Sequence, residues 1–308
     1  MQLKQLDHGG WKNNLLLANE HVELIISLDV GPRILSYKTV HGENVLKNYP
    51  EQFGQSGEVE WKIRGGHRFW LAPEDEKLTY VPDNVPVIYD LNEPDGVRLE
   101  NAPVEPWRVK KEMSVSLDPE SSRVTIVHRA TNEGPKKLTL ATWGLTVMAP
   151  GGLEIIPAPA LGEHPRDLLP QRVIVPWPYT DLSDPRWRFG WRFTTLRQTH
   201  DGGPTKLGLA HREKWVAYVI SDAIFVKTFD YEEGALYPDL GCNFETFTNQ
   251  EMLEIESLSP LRELAPGDSV SHTEQWFLLR EMQQPESLKQ GAIAEWIEPL
   301  LKRLGLTL

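Results

Sequence analysis

Short runs of β-prone residues, broken at close intervals by Gly, Pro, Asn and Asp, recur along most of the chain. They occupy 22–28, 33–38, 107–117, 124–130, 138–148, 191–196, 206–210, 215–220, 223–229, 252–258 and 269–279. The first turns at Asp29-Val30-Gly31-Pro32 into the second, a hairpin-like opening. In 107–117, Met113, Val115 and Leu117 alternate with Ser114 and Ser116, the period of a half-buried strand. No helix-period stretch lies between these runs, so an antiparallel sandwich or barrel is predicted and a βαβ parallel sheet is disfavoured. Two regions depart from the pattern. Residues 157–185 hold seven prolines and read as a long surface excursion that could cover a site. Residues 286–304 place Ile293, Trp296, Ile297, Leu300, Leu301 and Leu304 at helical spacing, with Gly305 where a helix stop belongs. This predicts a terminal helix docked on a sheet. Strands before and after the excursion look alike, so one domain over 1–308 is expected.

Composition narrows the partners. Lys and Arg number 32 against 44 Asp and Glu, and the formal net charge of −12 argues against nucleic acid, whose phosphates it would repel. No apolar run is long enough to cross a bilayer, and residues 1–11 lack the apolar core of a signal peptide. A soluble cytoplasmic protein with no membrane partner is expected. The single Cys242 excludes an internal disulfide and a multi-cysteine metal site. Eleven Trp among many turns suggest an aromatic-rich groove. The chain has no phosphate-cradling glycine loop, no G-x-S-x-G and no His-Glu-x-x-His, and no spacing demands a metal.

Four segments carry chemistry. Arg64-Gly65-Gly66-His67-Arg68-Phe69-Trp70-Leu71-Ala72-Pro73-Glu74 crowds two guanidiniums, an imidazole, an indole and a carboxylate around a Gly-Gly turn. Glycine lets backbone approach a ligand, arginine offers a planar fork, an indole can cover the apolar face of a sugar, and histidine shuttles protons near neutral pH. In 252–258, alternation puts Glu254 and Glu256 on one face. If shielded, such a pair raises at least one pKa, as a general base or acid needs; if open, it is a solvated face. Asp239, Asn243 and Glu245, just upstream, are further polar groups expected to bind substrate. His272, Glu274 and Trp276 would share a face that reads as a sheet surface with a half-buried Trp. Trp143 is either the floor of a groove or a core residue.

The order of these motifs resembles the galactose mutarotase-like (aldose 1-epimerase) superfamily, and most closely an uncharacterised bacterial branch, the domain-of-unknown-function 4380 family. Asp29-Val30-Gly31-Pro32-Arg33-Ile34 with Gly42-Glu43-Asn44-Val45-Leu46 is similar to that family's first hairpin. Arg64-Gly65-Gly66 followed by Trp70 and Pro73 is similar to the Arg-Gly-Gly segment of hexose-6-phosphate mutarotases. Leu253-Glu254-Ile255-Glu256, then Leu264-Ala265-Pro266-Gly267-Asp268, resembles the late strand bearing the mutarotase base and the turn after it. The resemblance implies an all-β fold, a large antiparallel β-supersandwich with a sugar-sized cleft and the C-terminal helix. It implies a small-molecule carbohydrate as partner, no cofactor, Glu254 as catalytic base and Arg64 on the sugar. The middle strand, where mutarotases carry an acidic His, here reads Ala141-Thr142-Trp143-Gly144. His67 is therefore the candidate acid, with Arg68, Trp70, Glu74, Trp143, Asp239, Asn243, Glu245 and Glu256 expected around the substrate. A carbohydrate-binding protein without turnover is the alternative, and an oligosaccharide lyase or hydrolase a third.

Overall fold

Alternation of inward and outward side chains organises the chain into two large antiparallel sheets packed face to face. The computed structural model describes residues 1–280 and 282–307. Across the first sheet the strands run Gln2–His8, Trp11–Ala18, Val22–Ser27, Arg33–Thr39, His67–Ala72, Leu138–Met148, Leu253–Leu258, Phe244–Thr248, Thr205–Leu209 and Ile174–Pro176, with Arg262–Leu264 pairing beside the start of Leu138–Met148. The second sheet has Ala223–Phe229, Ser269–Arg280, Val124–Asn132 and Val109–Leu117 at its centre. This is the predicted all-β supersandwich.

Between the sheets lies the main apolar core, with Leu17, Ile26, Tyr37, Met113, Phe225, Ile255 and Trp276 among its members. The outer face of the second sheet is covered by the helix Gln290–Arg303. Its Ile293, Ala294, Ile297, Leu300 and Leu301 pack on Leu153, Ile155, Trp215 and Val226. The helix begins four residues later than the spacing suggested, and Gly305 at φ +71 follows it. Burying five such side chains is what holds a 14-residue helix that has no capping side chain at its start.

One segment differs from its sequence reading. The stretch after Gly65-Gly66 is a central strand, His67–Ala72, buried on both faces. The two glycines serve this strand rather than a ligand. Both have positive φ, and a Cβ would collide with the Lys47 carbonyl at Gly65 and with the Ile34 carbonyl at Gly66. The proline-rich excursion is largely irregular, with short edge strands at Ile174–Pro176 and Trp187–Phe189.

Candidate functional site

Strand parity sorts the polar residues of the first sheet into two groups separated by the backbone. In the register, Trp143 pairs with Trp70 and Leu258, Leu145 with Arg68 and Glu256, and Val147 with Glu254. Glu256 in turn lies opposite Glu245, and Glu254 opposite Phe247, which pairs with Lys206. All of these point away from the second sheet. His67, Phe69, Thr146, Gly144, Ile255 and Ser257 point toward it.

The outward group is a set of ion pairs framed by aromatic rings. Arg68 donates to Glu254 at 2.8 Å, and its guanidinium lies 4.3 Å from the centre of the Trp70 ring and 5.4 Å from that of Trp61. The Lys206 ammonium sits between Glu245 at 2.7 Å and Glu256 at 2.9 Å, and between the rings of Trp143 at 4.9 Å and Trp177 at 4.7 Å. The Trp143 indole N–H donates to Glu256 at 3.0 Å. Trp61, Trp70 and Tyr80 pack edge to face, and the Tyr80 hydroxyl donates to Glu74. Tyr179 stands over Phe247. The floor is buried, whereas Trp61, Tyr80, Trp177 and Tyr179 form a half-exposed or exposed rim. Burial alone would lower the Lys206 ammonium, but the two carboxylates outweigh it and hold its pKa above the ordinary value. Burial raises Glu256, and raises Glu245 well above the usual carboxylate range, against the pull of Lys206. Two surface cavities of about 750 and 760 Å³ lie elsewhere, one beside His21 and Arg280 and one beside Tyr231 and Ser271.

The inward group is a dry polar knot that joins the sheets. Lys227 pairs with Glu274 at 2.7 Å, both side chains fully buried, and donates to Thr146 and to the Ile255 carbonyl. Glu274 also accepts from Ser257 at 2.6 Å and from the Trp276 indole at 2.8 Å. Burial would raise its carboxyl, but Lys227 and the surrounding imidazoles hold it far below the ordinary range. His67 contacts His128 at 2.7 Å and Thr146 at 3.0 Å. Burial lowers all three imidazoles of the knot: His67 well below its usual value, His128 to about 4 and His272 to about 3. They are neutral at pH 7. A donor atom from each of His67, His128 and Glu274 lies within 4.8 Å of the others, a set that could ligate a metal. The Lys227 ammonium already supplies the cation there, and a divalent ion beside it would face an uncompensated charge in a dry interior.

The sequence-derived candidates therefore separate. Arg68, Trp70, Trp143, Glu254, Glu256 and Glu245 come together on the outer face, with Glu74 at its rim. His67 does not join them: it is fully buried on the opposite side of its strand, so it cannot pass a proton to a ligand beside Glu254. Arg64 is tied to Glu58 at 2.5 Å and buried. Asn243 braces the neighbouring loop, accepting from the His211 N–H and donating to its carbonyl. Asp239 is half-buried in a left-handed turn at φ +49. His272, Glu274 and Trp276 do share a face, but it is the sealed inter-sheet face rather than an open surface. Sequence reasoning missed Lys206, Trp61, Trp177, Tyr80 and Tyr179. A lysine at the edge of an apolar run, two aromatics inside the proline-rich excursion (Trp177 and Tyr179) and two flanking the 64–74 segment (Trp61 and Tyr80) were the available signals.

No family model matches the sequence, and no curated protein sequence matches it. Solved structures do. The Slr1438 protein from Synechocystis sp. PCC 6803 is similar at a TM-score of 0.58 and 12% identity, over 90% of this chain and 98% of its own. A galactose mutarotase-like protein from Lactobacillus casei gives 0.56 and 11%, over 87% and 100%. A galactose mutarotase related enzyme from Lactobacillus acidophilus gives 0.55 and 11%, over 88% and 99%. The chain has the galactose mutarotase-like fold. At such identities the likeness extends to the fold alone. Within this mutarotase-like sandwich, the outer face of the first sheet offers hydrogen-bond acceptors, ring faces and one carboxylate, Glu254, that keeps a small window to solvent. No helix among the described residues is long and apolar enough to cross a membrane.

Proposed function

We propose that this chain binds a small carbohydrate on the outer face of its first sheet, across the Arg68–Glu254 pair, and that Glu254 acts as base in interconverting its anomers. The observation that carries this reading is Glu254 itself. It is the floor carboxylate with an outlet: its side chain is 9% exposed, against none for Glu245 and Glu256. Arg68 donates to one of its oxygens at 2.8 Å and orients the carboxylate toward a ligand hydroxyl. The rings of Trp61 and Trp70 beside it suit the C–H faces of a sugar. Because the floor is packed by its own side chains, the ligand enters by displacing the rim, where Trp177 and Tyr179 belong to the irregular excursion. Loss of the anomeric hydroxyl proton to Glu254 would let the bond between the anomeric carbon and the ring oxygen break and the carbonyl form. The proton for the ring oxygen comes from water admitted with the ligand, because a guanidinium does not release its proton and two carboxylates hold the Lys206 ammonium above its ordinary pKa. We also propose, on the order of the 29–34, 64–73 and 253–268 motifs along the chain, a kinship with the domain-of-unknown-function 4380 branch.

The placement of His67 favours a second reading, a carbohydrate-binding protein without turnover. Calorimetry against a monosaccharide panel, with anomer exchange followed by NMR, separates the two. Under the first reading Glu254→Gln slows exchange by roughly 10²–10⁴-fold while the fold is retained. Binding without accelerated exchange in the unmodified protein selects the second. No binding by any monosaccharide refutes both.

A further inference from the structure

We infer that the outer-face site takes a sugar acid, with its carboxylate on the unpaired edge of the Arg68 guanidinium and its hydroxyls toward Glu245 and Glu256. The inference rests on the carbohydrate reading above and names its substrate class. It starts from the polar atoms that this face leaves without a partner. Arg68 is 2% exposed and, among the described residues, makes its one hydrogen bond through Nη1, to Glu254 at 2.8 Å. Its Nε is buried and has no hydrogen-bond partner. In a planar guanidinium the Nε–H runs parallel to one N–H of Nη2, so this edge is the two-donor fork that fits a carboxylate. Trp61 Nε1 is a second buried donor without a partner, and the Trp61 ring lies 5.4 Å from the guanidinium. Arg33 and Arg64 also leave Nε unbonded. Arg33, opposite Arg68 in the register, is closed over by Asp83 and the Ile63 and Gly65 carbonyls, and Arg64 by Glu58.

The unpartnered acceptors lie at the other end of the same row. Arg68, Leu145, Glu256 and Glu245 stand side by side on successive strands. Both Glu245 carboxylate oxygens and Glu256 Oε1 are buried and accept no directed hydrogen bond, although Glu245 faces Lys206 as an ion pair. Two strand spacings, about 10 Å, separate the Arg68 and Glu256 backbones, so a monosaccharide with its acid at one end can reach from the donors to the acceptors. The charges on the face admit one more anion. Lys206 already holds two carboxylates, whereas Arg68, with more donors, holds one. Burial raises Glu245 and Glu256, so that pair keeps a proton more readily than exposed carboxylates do. Lys47, in no ion pair among the described residues, lies over the Tyr49 ring, whose hydroxyl feels the charges of Glu251, Glu254 and Arg68. With Glu254, Glu251 and the rim carboxylate Glu74 also near, the face favours a planar monoanion over a phosphate dianion.

The test is calorimetry with matched probes in the gluco, galacto and manno series: the hexose, its uronate, the neutral uronamide and the 6-phosphate. The uronate is expected to bind about tenfold tighter than its hexose in at least one series. The uronamide should lose most of that advantage. Trp61→Phe keeps a ring and removes the N–H, and should lower the ratio of uronate to hexose affinity about threefold. Arg68→Lys keeps the charge and removes the fork, and should bring the ratio near one. Trp61→Phe keeps the test open if Arg68→Lys does not fold. A uronate no tighter than its hexose in any series, a uronamide as tight as the uronate, or a 6-phosphate that binds best overturns the inference and leaves the carbohydrate reading standing on another sugar. A ratio unchanged in every folded variant overturns the placement of the carboxylate. Failure of every probe to bind refutes the carbohydrate reading, and this inference with it.

Discussion

Replacing Lys227 by Met removes one half of an ion pair that no solvent reaches. Its ammonium lies 2.7 Å from Glu274 Oε1, and both side chains are fully buried. At an effective dielectric constant of about 20, unit charges at 2.7 Å attract by roughly 6 kcal/mol, much of it offset by the desolvation of both groups. Removing one partner leaves the other without compensation, so Lys227→Met should lose about 3–5 kcal/mol at pH 7. That is a large share of the ~5–15 kcal/mol typical of a folded protein. The Ser257 and Trp276 donors remain on Glu274 and favour the lower end of the range. Glu274→Gln should cost a similar amount, because it strands the ammonium, whereas the double variant should return to within about 1–2 kcal/mol of the parent. Urea unfolding followed by tryptophan fluorescence measures all four proteins, and Trp276 reports directly from the pair. The pH dependence has a definite sign. In Lys227→Met the folded-state pKa of Glu274 rises above its unfolded value, so the variant is least impaired below that unfolded value and loses ground as pH rises. Single variants within about 1 kcal/mol of the parent, or a double variant as unstable as the two singles combined, would refute the pair as the central tie.

Three further outcomes follow from the same interior. Gly144→Ala puts a Cβ against Glu274 Oε1 and 3.1 Å from the His128 ring, and should destabilise by roughly 1–3 kcal/mol in the same urea assay. His211, fully buried and bonded to the Trp215 carbonyl at 2.8 Å, is lowered by burial to about 4. Its stabilising contribution is present above pH 6.5 and lost as pH falls toward 4. His211→Gln should therefore flatten the stability–pH curve in that window by about 1.4 kcal/mol per pH unit, and an unchanged slope would contradict the assignment. His67→Gln should leave sugar affinity unchanged by calorimetry while costing roughly 1–3 kcal/mol of stability, whereas a selective loss of affinity would return the imidazole to the site.

Much of the sandwich is legible because its strands announce themselves by alternation and turn chemistry. The 138–148, 215–220 and 223–229 runs match the observed strands residue for residue. The N-terminal strands Gln2–His8 and Trp11–Ala18 are not legible, since the first is polar on both faces and its place at a sheet edge needs no apolar stripe. At the site, the grouping of Arg68, Trp70, Glu254 and Glu256 and the opposite facing of His67 were within reach of sequence, and the partners of His67 were not. Reading Arg64 to Glu74 as a glycine turn suspended the period-two rule where it applied. Once 67–72 is a strand, Arg68 and Trp70 share a face and His67 takes the other. Lys206 stayed hidden because its neighbours come from four other segments, around Trp143, Trp177, Glu245 and Glu256, none near it along the chain.

The same three strands feed both polar groups, and this links the buried knot to the site. His67–Ala72, Leu138–Met148 and Leu253–Leu258 each send alternate residues outward to the ion pairs and inward to the knot. A slip of one residue in any of them would exchange the two sets, turning Arg68 or Glu254 into the core and His67 or Ser257 out of it. Apolar packing opposes such a slip, because Leu253 and Ile255 belong to the inter-sheet core and a slip would drive Glu254 and Glu256 into it. The directional contacts are specific: Lys227 reaches Thr146 and the Ile255 carbonyl, Ser257 meets His272 and Glu274, and His67 meets Thr146. Each is satisfied in one register only. The knot therefore acts on the outer face without touching it, by fixing which side of the sheet Arg68, Glu254 and Glu256 occupy.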